Sequence, residues 1–412
     1  MNKERRALMF STSMAFVFWG IIGTIGPLAA SGSIIGNLSK TGKLIFLLAG
    51  PVTVPFGNLI MGILADFYGR RRIFLLTMAS YTIGIIIISI SSSFIPLLIG
   101  LIFAQFGVGG EEPSSLSLVG EEMEKEQRPK WLTILTNFDN IGSALMALLF
   151  FVVVNNFSDR VVLLASSLIL IASMIYLRVI IPESKIWERS RKGKRLQESF
   201  SDLNEKESPE VSIDSGERKK NPRFIFSFIF LGVIAVSQYL TFGLMAYVLA
   251  PIEFPGSTTD ELIIFIAMLG ASIGGFFAVP LISRGTKSYT LFSFFFGTLT
   301  MVVILILLPY LSNMVIFLPL LFANMFASEF AYASRSVLEP ELYGTNVRST
   351  SIGLTRLWPM IAYPLFTYYT SSLNLEDFLL INLILWSIGF AATIVWFLHG
   401  IETKNMSLEY NL

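Results

Sequence analysis

The length of the charge-free runs limits this chain more than any other feature. Ala7 to Leu38 contains no ionisable side chain. Ile73 to Val108, and Thr290 up to Glu329, contain none apart from Tyr81 and Tyr310. A helix that crosses a membrane needs about 20 apolar residues, so each run holds one to two spans. Soluble domains carry about a quarter charged residues. Here 14% are charged and 53% hydrophobic over 412 residues, with a mean hydropathy of +0.67. The apolar surplus has to face lipid. Twelve spans are expected, at 9–30, 42–65, 73–93, 95–119, 131–153, 161–181, 224–250, 261–282, 289–309, 313–336, 350–370 and 377–398. The first is too long for a signal-peptide core and reads as a membrane helix, not a removed leader.

Composition also excludes chemistries. There is no cysteine, and His399 is the only histidine. Disulfides, thiolate metal sites, cysteine nucleophiles and histidine clusters are therefore ruled out. No G-x-x-x-x-G-K-[S/T] loop is present, so the chain does not itself hydrolyse ATP. No nucleophile–base pair stands out either. An enzyme is not expected, nor a metal, a cofactor or a nucleic-acid partner. The net charge of +1 points to no partner by itself.

Charge does set sidedness. An even number of spans puts both termini on one face. That face collects 26 of the 30 Lys and Arg, the other holds Lys40, Lys43 and Arg160, and Arg356 falls inside a helix. By the positive-inside rule the termini are cytoplasmic, with a cell membrane as the default location. The polar stretch Pro182 to Pro222 divides the spans six and six. The expected organisation is a bundle at 1–181, a cytoplasmic linker at 182–222, and a second bundle with a short tail at 223–412. Residues Trp187 to Leu203 suit an amphipathic helix at the membrane surface, and 204–222 a solvated tether.

The two halves echo each other. Glu121 and Arg128, seven apart, join the fourth and fifth spans, and Glu341 and Arg348, seven apart, join the tenth and eleventh. Repeated halves mark secondary transporters, with the substrate between them near the midplane. The loop between the second and third spans reads Gly62-Ile-Leu-Ala-Asp66-Phe-Tyr-Gly69-Arg70-Arg71-Arg72. It resembles the major facilitator loop signature G-x-L-a-D-r-x-G-R-[K/R]. Its counterpart at Leu281 to Lys287 has no carboxylate. Pro182-Glu183-Ser184-Lys185-Ile186-Trp187 resembles the P-E-S-P-R-W of sugar porters. Glu402-Thr403-Lys404 with Ser407-Leu408-Glu409 resembles their P-E-T-K-G-x-x-L-E. Glu341 to Gly353 resembles E-L-[F/Y]-P-T-x-x-R-x-T-x-x-G. The resemblance spans almost the whole chain. It implies an all-α membrane protein of twelve helices in two pseudo-symmetric six-helix bundles, working by alternating access, with no enzymatic activity.

In that family the loop charges latch the cytoplasmic side. By position the latch is Asp66, Gly69, Arg70, Glu121, Arg128, Glu341 and Arg348. Gly69 permits the tight turn, and guanidiniums bind carboxylates in bidentate fashion. The alternative is that the arginines only fix topology.

Ionisable groups within a span are costly and mark function by default. At 1.5 Å per residue, Glu111 lies about 15 Å from Glu121, Asp139 about 16 Å from Arg128, Glu329 about 18 Å from Glu341, and Arg356 about 12 Å from Arg348. All four offsets converge on one depth. Gly109-Gly110-Glu111-Glu112-Pro113 resembles the fourth helix of proton-coupled phosphate and organic-acid symporters, in which the acidic residue at the place of Glu111 is linked to proton movement. Glu111 and Glu112 point about 100° apart, so both cannot face one cavity equally. Glu111 is either a proton carrier or a structural carboxylate. Arg356 either grips an anionic substrate or neutralises Glu329 or Asp139. Asn137, Gln238 and Trp358 are candidate ligand contacts.

Sugar porters often carry an aspartate in the first helix, absent here, and an arginine in the fourth, where Leu101 stands. Their helix-seven signature survives only as Gln238, Tyr239 and Thr241. The expected function is therefore proton-coupled transport of a small organic solute, an organic acid favoured over a sugar, by a monomer. A sugar transporter, a drug or metabolite exporter and a non-transporting sensor are the alternatives.

Overall fold

The computed structural model describes residues 3–31, 39–153, 183–184, 187–189, 222–249, 257–370 and 373–404, with Ala165, Leu168, Ile169 and Ala172 besides. Among these residues it contains eleven long helices and no strand. The first half supplies α1 (Lys3–Ser31), α2 (Lys40–Tyr68), α3 (Arg70–Ile90), α4 (Phe94–Glu122) and α5 (Arg128–Val153). The second supplies α6 (Pro222–Gly243), continued by a π turn at Leu244–Val248, then α7 (Ser257–Ile282), α8 (Thr286–Ile306), α9 (Met314–Leu342), α10 (Arg348–Thr370) and α11 (Leu375–His399). The expected sixth span, 161–181, and most of the linker lie outside the described residues.

Ten of these helices are long and apolar enough to cross a membrane. The other, α10, carries Arg356 in its middle and leans on its neighbours. Helix starts follow local chemistry. Ser39, Asn313 and Asn374 each cap a helix by accepting a backbone N–H with the side chain. Prolines inside α2, α4, α9 and α10 are tolerated because neighbouring helices satisfy the freed backbone groups. Between α2 and α3 the chain turns at Gly69, whose φ of 108° suits a residue without Cβ.

Within the first half α3 and α2 pack on α4, and α1 packs on α5. Within the second, α9 packs on α7 and α8, and α6 on α10 and α11. Glycines allow close approach. A Cβ on Gly84 would sit 2.4 Å from the Ala104 nitrogen on α4. On the lipid side, Phe56, Ile95, Ile306 and Leu365 are exposed, as a membrane face requires. The halves meet along two seams, α5 against α7 and α2 against α10.

Several expected boundaries were short. The fourth span continues to Glu122, and the tenth continues from 336 to Leu342. The second correction matters most. Arg335, placed by the sequence at the basic end of a helix, is 2% exposed inside α9, and Glu339 is fully buried one turn further on. The terminal turn is polar but packed between helices, so hydropathy alone ends it early.

Candidate functional site

Two layers of buried charge join the halves. The first lies at the ends of the helices on the face of the basic loops. Arg348 Nη1 reaches Glu121 Oε1 at 2.5 Å, and Arg128 Nη1 reaches Glu341 Oε1 at 3.6 Å. Each arginine also donates its Nε–H to a carbonyl eight residues back, Arg128 to Gly120 at 2.8 Å and Arg348 to Pro340 at 2.9 Å. Each guanidinium is thus anchored in its own half and paired with the glutamate of the other.

Arg70 is fully buried and holds Asp66 at 3.0 Å and Glu121 at 3.1 Å, while its Nη2 donates to the Thr345 carbonyl at 2.7 Å. Asp66 accepts from the Thr350 amide at 2.8 Å and hydroxyl at 2.7 Å. Ser349 donates to Ser117 at 2.8 Å. All seven positions expected in the latch come to this layer, and Asp66, Arg70, Glu121, Arg128, Glu341 and Arg348 all bond or pair there. The helices touch so closely that a Cβ on Gly62 would meet the Ser349 carbonyl oxygen at 2.8 Å, and one on Gly353 the Asn58 oxygen at 2.7 Å.

The segments after the last helix of each half brace the layer alike. Glu183 accepts from the Arg71 amide at 3.1 Å, and Ser184 donates to Glu121. Glu402 accepts from the Thr286 amide at 2.9 Å and hydroxyl at 2.6 Å, beside Thr403. Both glutamates thereby sit at the N-terminus of the third helix of their half, where the helix dipole favours negative charge. Their acidities diverge. Burial pushes Glu183 above the ordinary carboxylate value, against the pull of the Arg71 and Ser184 amides. Burial also pushes Glu402 up, but bonds from Thr286, Lys404 and Lys287 outweigh it and leave the group below its ordinary value. Trp187 donates its indole N–H to the Asp66 carbonyl at 2.9 Å and lies 5.8 Å from the Arg70 guanidinium.

The second layer runs inward from these ends to mid-depth. Arg356 Nη1 pairs with Glu112 across the seam, while its Nη2 and Nε lie 2.8 and 2.9 Å from Glu339 Oε2. Tyr332 donates to Glu112 at 2.6 Å. Arg335 lies over the Tyr332 ring at 4.8 Å and 3.3 Å from Glu339 Oε1. Asn140 links the remaining acids, accepting none of their charge: its amide donates to Asp139 at 2.5 Å and its side chain to Glu329 at 2.8 Å.

This layer revises the expectations. The partners of Arg356 are Glu112 and Glu339, not Glu329 or Asp139. Glu111 points away from the seam, into its own half, accepting from Thr77 of α3 at 3.1 Å and Ser115 at 3.0 Å. Asn137 donates to the Ser272 carbonyl of α7 at 2.8 Å and helps join the halves. Gln238 is buried against Ser328, 3.4 Å away. Trp358 is 36% exposed and packs edge-on to Phe228 at 5.7 Å, within its own half. Sequence reasoning favoured Glu111 over its neighbour Glu112 and passed over Arg335 and Glu339. The spacing 329, 332, 335, 339 on α9 carried a signal for the last two, since steps of three and four lie on one helix face.

The layer sets four carboxylates (Glu112, Asp139, Glu329, Glu339) against two guanidiniums (Arg335, Arg356), and all six are at most 7% exposed. Such a surplus can hold protons or cationic groups, because buried charges need partners.

A family model described as the Major Facilitator Superfamily matches residues 8–367. The chain is 24% identical over 364 residues to NiaP, a candidate niacin/nicotinamide transporter of Bacillus subtilis (strain 168), covering 85% of this chain and 84% of that one. It is 25% identical over 392 residues to YdjE, an inner membrane metabolite transport protein of Escherichia coli (strain K12), covering 86% and 83%. Among solved structures, the proton:xylose symporter XylE superposes with a TM-score of 0.77 at 14% identity over 98% of both chains.

Proposed function

Because the chain belongs to the Major Facilitator Superfamily, and so is a multi-pass membrane transporter of small solutes, we propose that it takes up a small carboxylic acid together with protons, by alternating access. The observation that carries this reading is the mid-depth layer. It spans both halves, it lies at the depth where such folds place their solute, and its acids outnumber its bases. A proton shared between Asp139 and Glu329 offsets half of that surplus. These two acids come from α5 and α9, on opposite sides of the seam, so a change in their charge bears on both halves at once. Glu111, enclosed between α3 and α4, is better suited to stiffening the first half.

The basic face is cytoplasmic in this reading, the membrane is that of the cell, and the protein works as a monomer. The latch holds the cytoplasmic side shut, so solute enters from the opposite side. Release inward requires the pairs of Arg348, Arg128 and Asp66 to part. The relatives narrow the first substrates to try. One is named for niacin and nicotinamide, another for metabolites, and nicotinate is a small flat acid.

The test is uptake into liposomes under an inward proton gradient, with and without a protonophore. Nicotinate and other small acids are compared with nicotinamide, xylose and myo-inositol. Gradient-dependent accumulation of an acid is expected. Accumulation of a sugar alone, or uptake indifferent to the protonophore, refutes the proposal.

A further inference from the structure

Resting on the reading just given, we infer that Arg335, and not Arg356, holds the carboxylate of the transported solute. Arg356 is the arginine a sequence points to, but its guanidinium is already engaged on both sides. Nη1 meets Glu112, and Nη2 and Nε meet Glu339. Exchanging those partners for a solute would break the contact that ties α4 to α10.

Arg335 is situated differently. It is as deeply buried, 2% exposed, yet among the described residues its one carboxylate contact is the Glu339 oxygen at 3.3 Å. Its Nε faces Glu339 without an aligned hydrogen bond and its Nη1 has no acceptor among the described residues, whereas in Arg356 Nη2 alone lacks an aligned bond and still lies 2.8 Å from Glu339. A guanidinium carries five donors and no acceptor, and a buried donor left unmet is destabilising. A planar oxyanion is the partner that guanidinium geometry matches best.

The surroundings define the rest of the ligand. Tyr332 presents its ring face to Arg335, and its hydroxyl is fixed by Glu112. Tyr239 of α6 is within electrostatic reach of Arg335, Arg356 and Glu112. Asp139 of α5 feels Arg335 from across the seam, as Glu329 does from one turn and a half along α9. Aromatic walls beside one cation suit a small, flat monocarboxylate. Asp139 and Glu329 exclude an anion arriving alone, since it would enlarge a surplus of two negative charges. The acid and its protons therefore bind together, which couples their affinities reciprocally.

The experiment measures equilibrium binding of labelled nicotinate to the purified full chain, with nicotinamide as the matched neutral competitor. Arg335→Gln is expected to weaken nicotinate at least about tenfold, or 1.4 kcal/mol, while nicotinamide changes less than about threefold. Arg335→Lys retains part of the acid preference. Arg356→Gln weakens acid and amide alike, because it disturbs the scaffold and not one ligand group. An Arg335→Gln protein with the wild-type acid-to-amide ratio overturns the assignment, as does loss of that ratio in Arg356→Gln alone. If Arg335→Gln does not fold, the ratio in Arg335→Lys decides in the same way. Wild-type protein that binds and transports sugars but no acid removes the functional reading itself. Acid transport with an unchanged ratio in the variants removes only the role of Arg335.

Discussion

Arg348 and Glu121 lie 2.5 Å apart although 227 residues separate them, and the reciprocal pair, Arg128 with Glu341, joins the same two halves at 3.6 Å. The proposed latch is therefore double, with each half giving one arginine and one glutamate. Breaking a buried pair by removing one partner costs about 3–5 kcal/mol, so under the proposed latch the closed state depends on both pairs and on Asp66 beside them.

Asp66→Asn removes the charge that meets Arg70 and weakens the hold on Thr350. Transport should fall about tenfold, equivalent to about 1.4 kcal/mol, with expression and membrane insertion unchanged. The chain has no cysteine, so a single cysteine at Ser117 reports the latch without background. Its labelling should rise in Asp66→Asn. Normal transport by well-expressed mutant protein would sink the latch reading.

Packing should act in the same direction as charge. A side chain at Gly62 or Gly353 must displace a backbone oxygen on the opposing helix, at 2.8 and 2.7 Å respectively. Gly62→Ala and Gly353→Ala are both expected to increase labelling at Ser117 while leaving the protein folded. Labelling equal to that of the parent would show that the seam yields without opening.

Arg356 bridges two acids, so the order of removal matters. Arg356→Gln leaves Glu112 buried without its cation, and Glu339 with Arg335 alone, and should lower the melting temperature in detergent more than Glu112→Gln/Arg356→Gln together. Contacting residues are non-additive by about 0.5–3 kcal/mol. A double variant that is the simple sum of the singles refutes the bridge.

Glu329→Gln removes one of the two surplus acids. Gradient-driven accumulation should be lost, and solute exchange across equal proton concentrations retained. Glu111→Gln, whose carboxylate bonds Thr77 and Ser115 within one half, should lower stability and keep the gradient response. The reverse pattern would return the proton site to Glu111.

The bracing glutamates should answer to pH with opposite signs. Glu402 lies below its ordinary value of 4.5, so its stabilising contribution is in place above that value and is lost as pH falls through its folded one. Glu183 lies above the same ordinary value, so its contribution is present below pH 4.5 and fades as pH rises through its folded one. Hydrogen exchange, corrected for intrinsic rates, should show the Thr286 and Lys287 amides losing protection on acidification while the Arg71 and Ser184 amides do not. Parallel loss at both places would refute the difference.

Much of this was readable in the residues. Repeated Glu–x6–Arg spacing located both halves of the outer charge layer, because a duplicated turn keeps its covalent offsets. Charge within apolar runs located Glu111, Asp139, Glu329 and Arg356. Two things were not readable. Adjacent Glu111 and Glu112 differ only in helical phase, and neighbours in space decide which one meets the seam. Arg335 and Glu339 occupy a polar stretch that looks like a loop margin, whereas α7 and α8 bury the body of α9 that carries them.

Helix α9 bears Glu329, Tyr332, Arg335 and Glu339 in the inner layer and Glu341 in the outer one, all within 13 residues of one continuous helix or about 18 Å. The proposed solute site and the proposed gate are thus mounted on a single shaft. A twist or slide felt at one end is delivered to the other without an intervening relay, so neither end can be adjusted by mutation while its counterpart stays untouched.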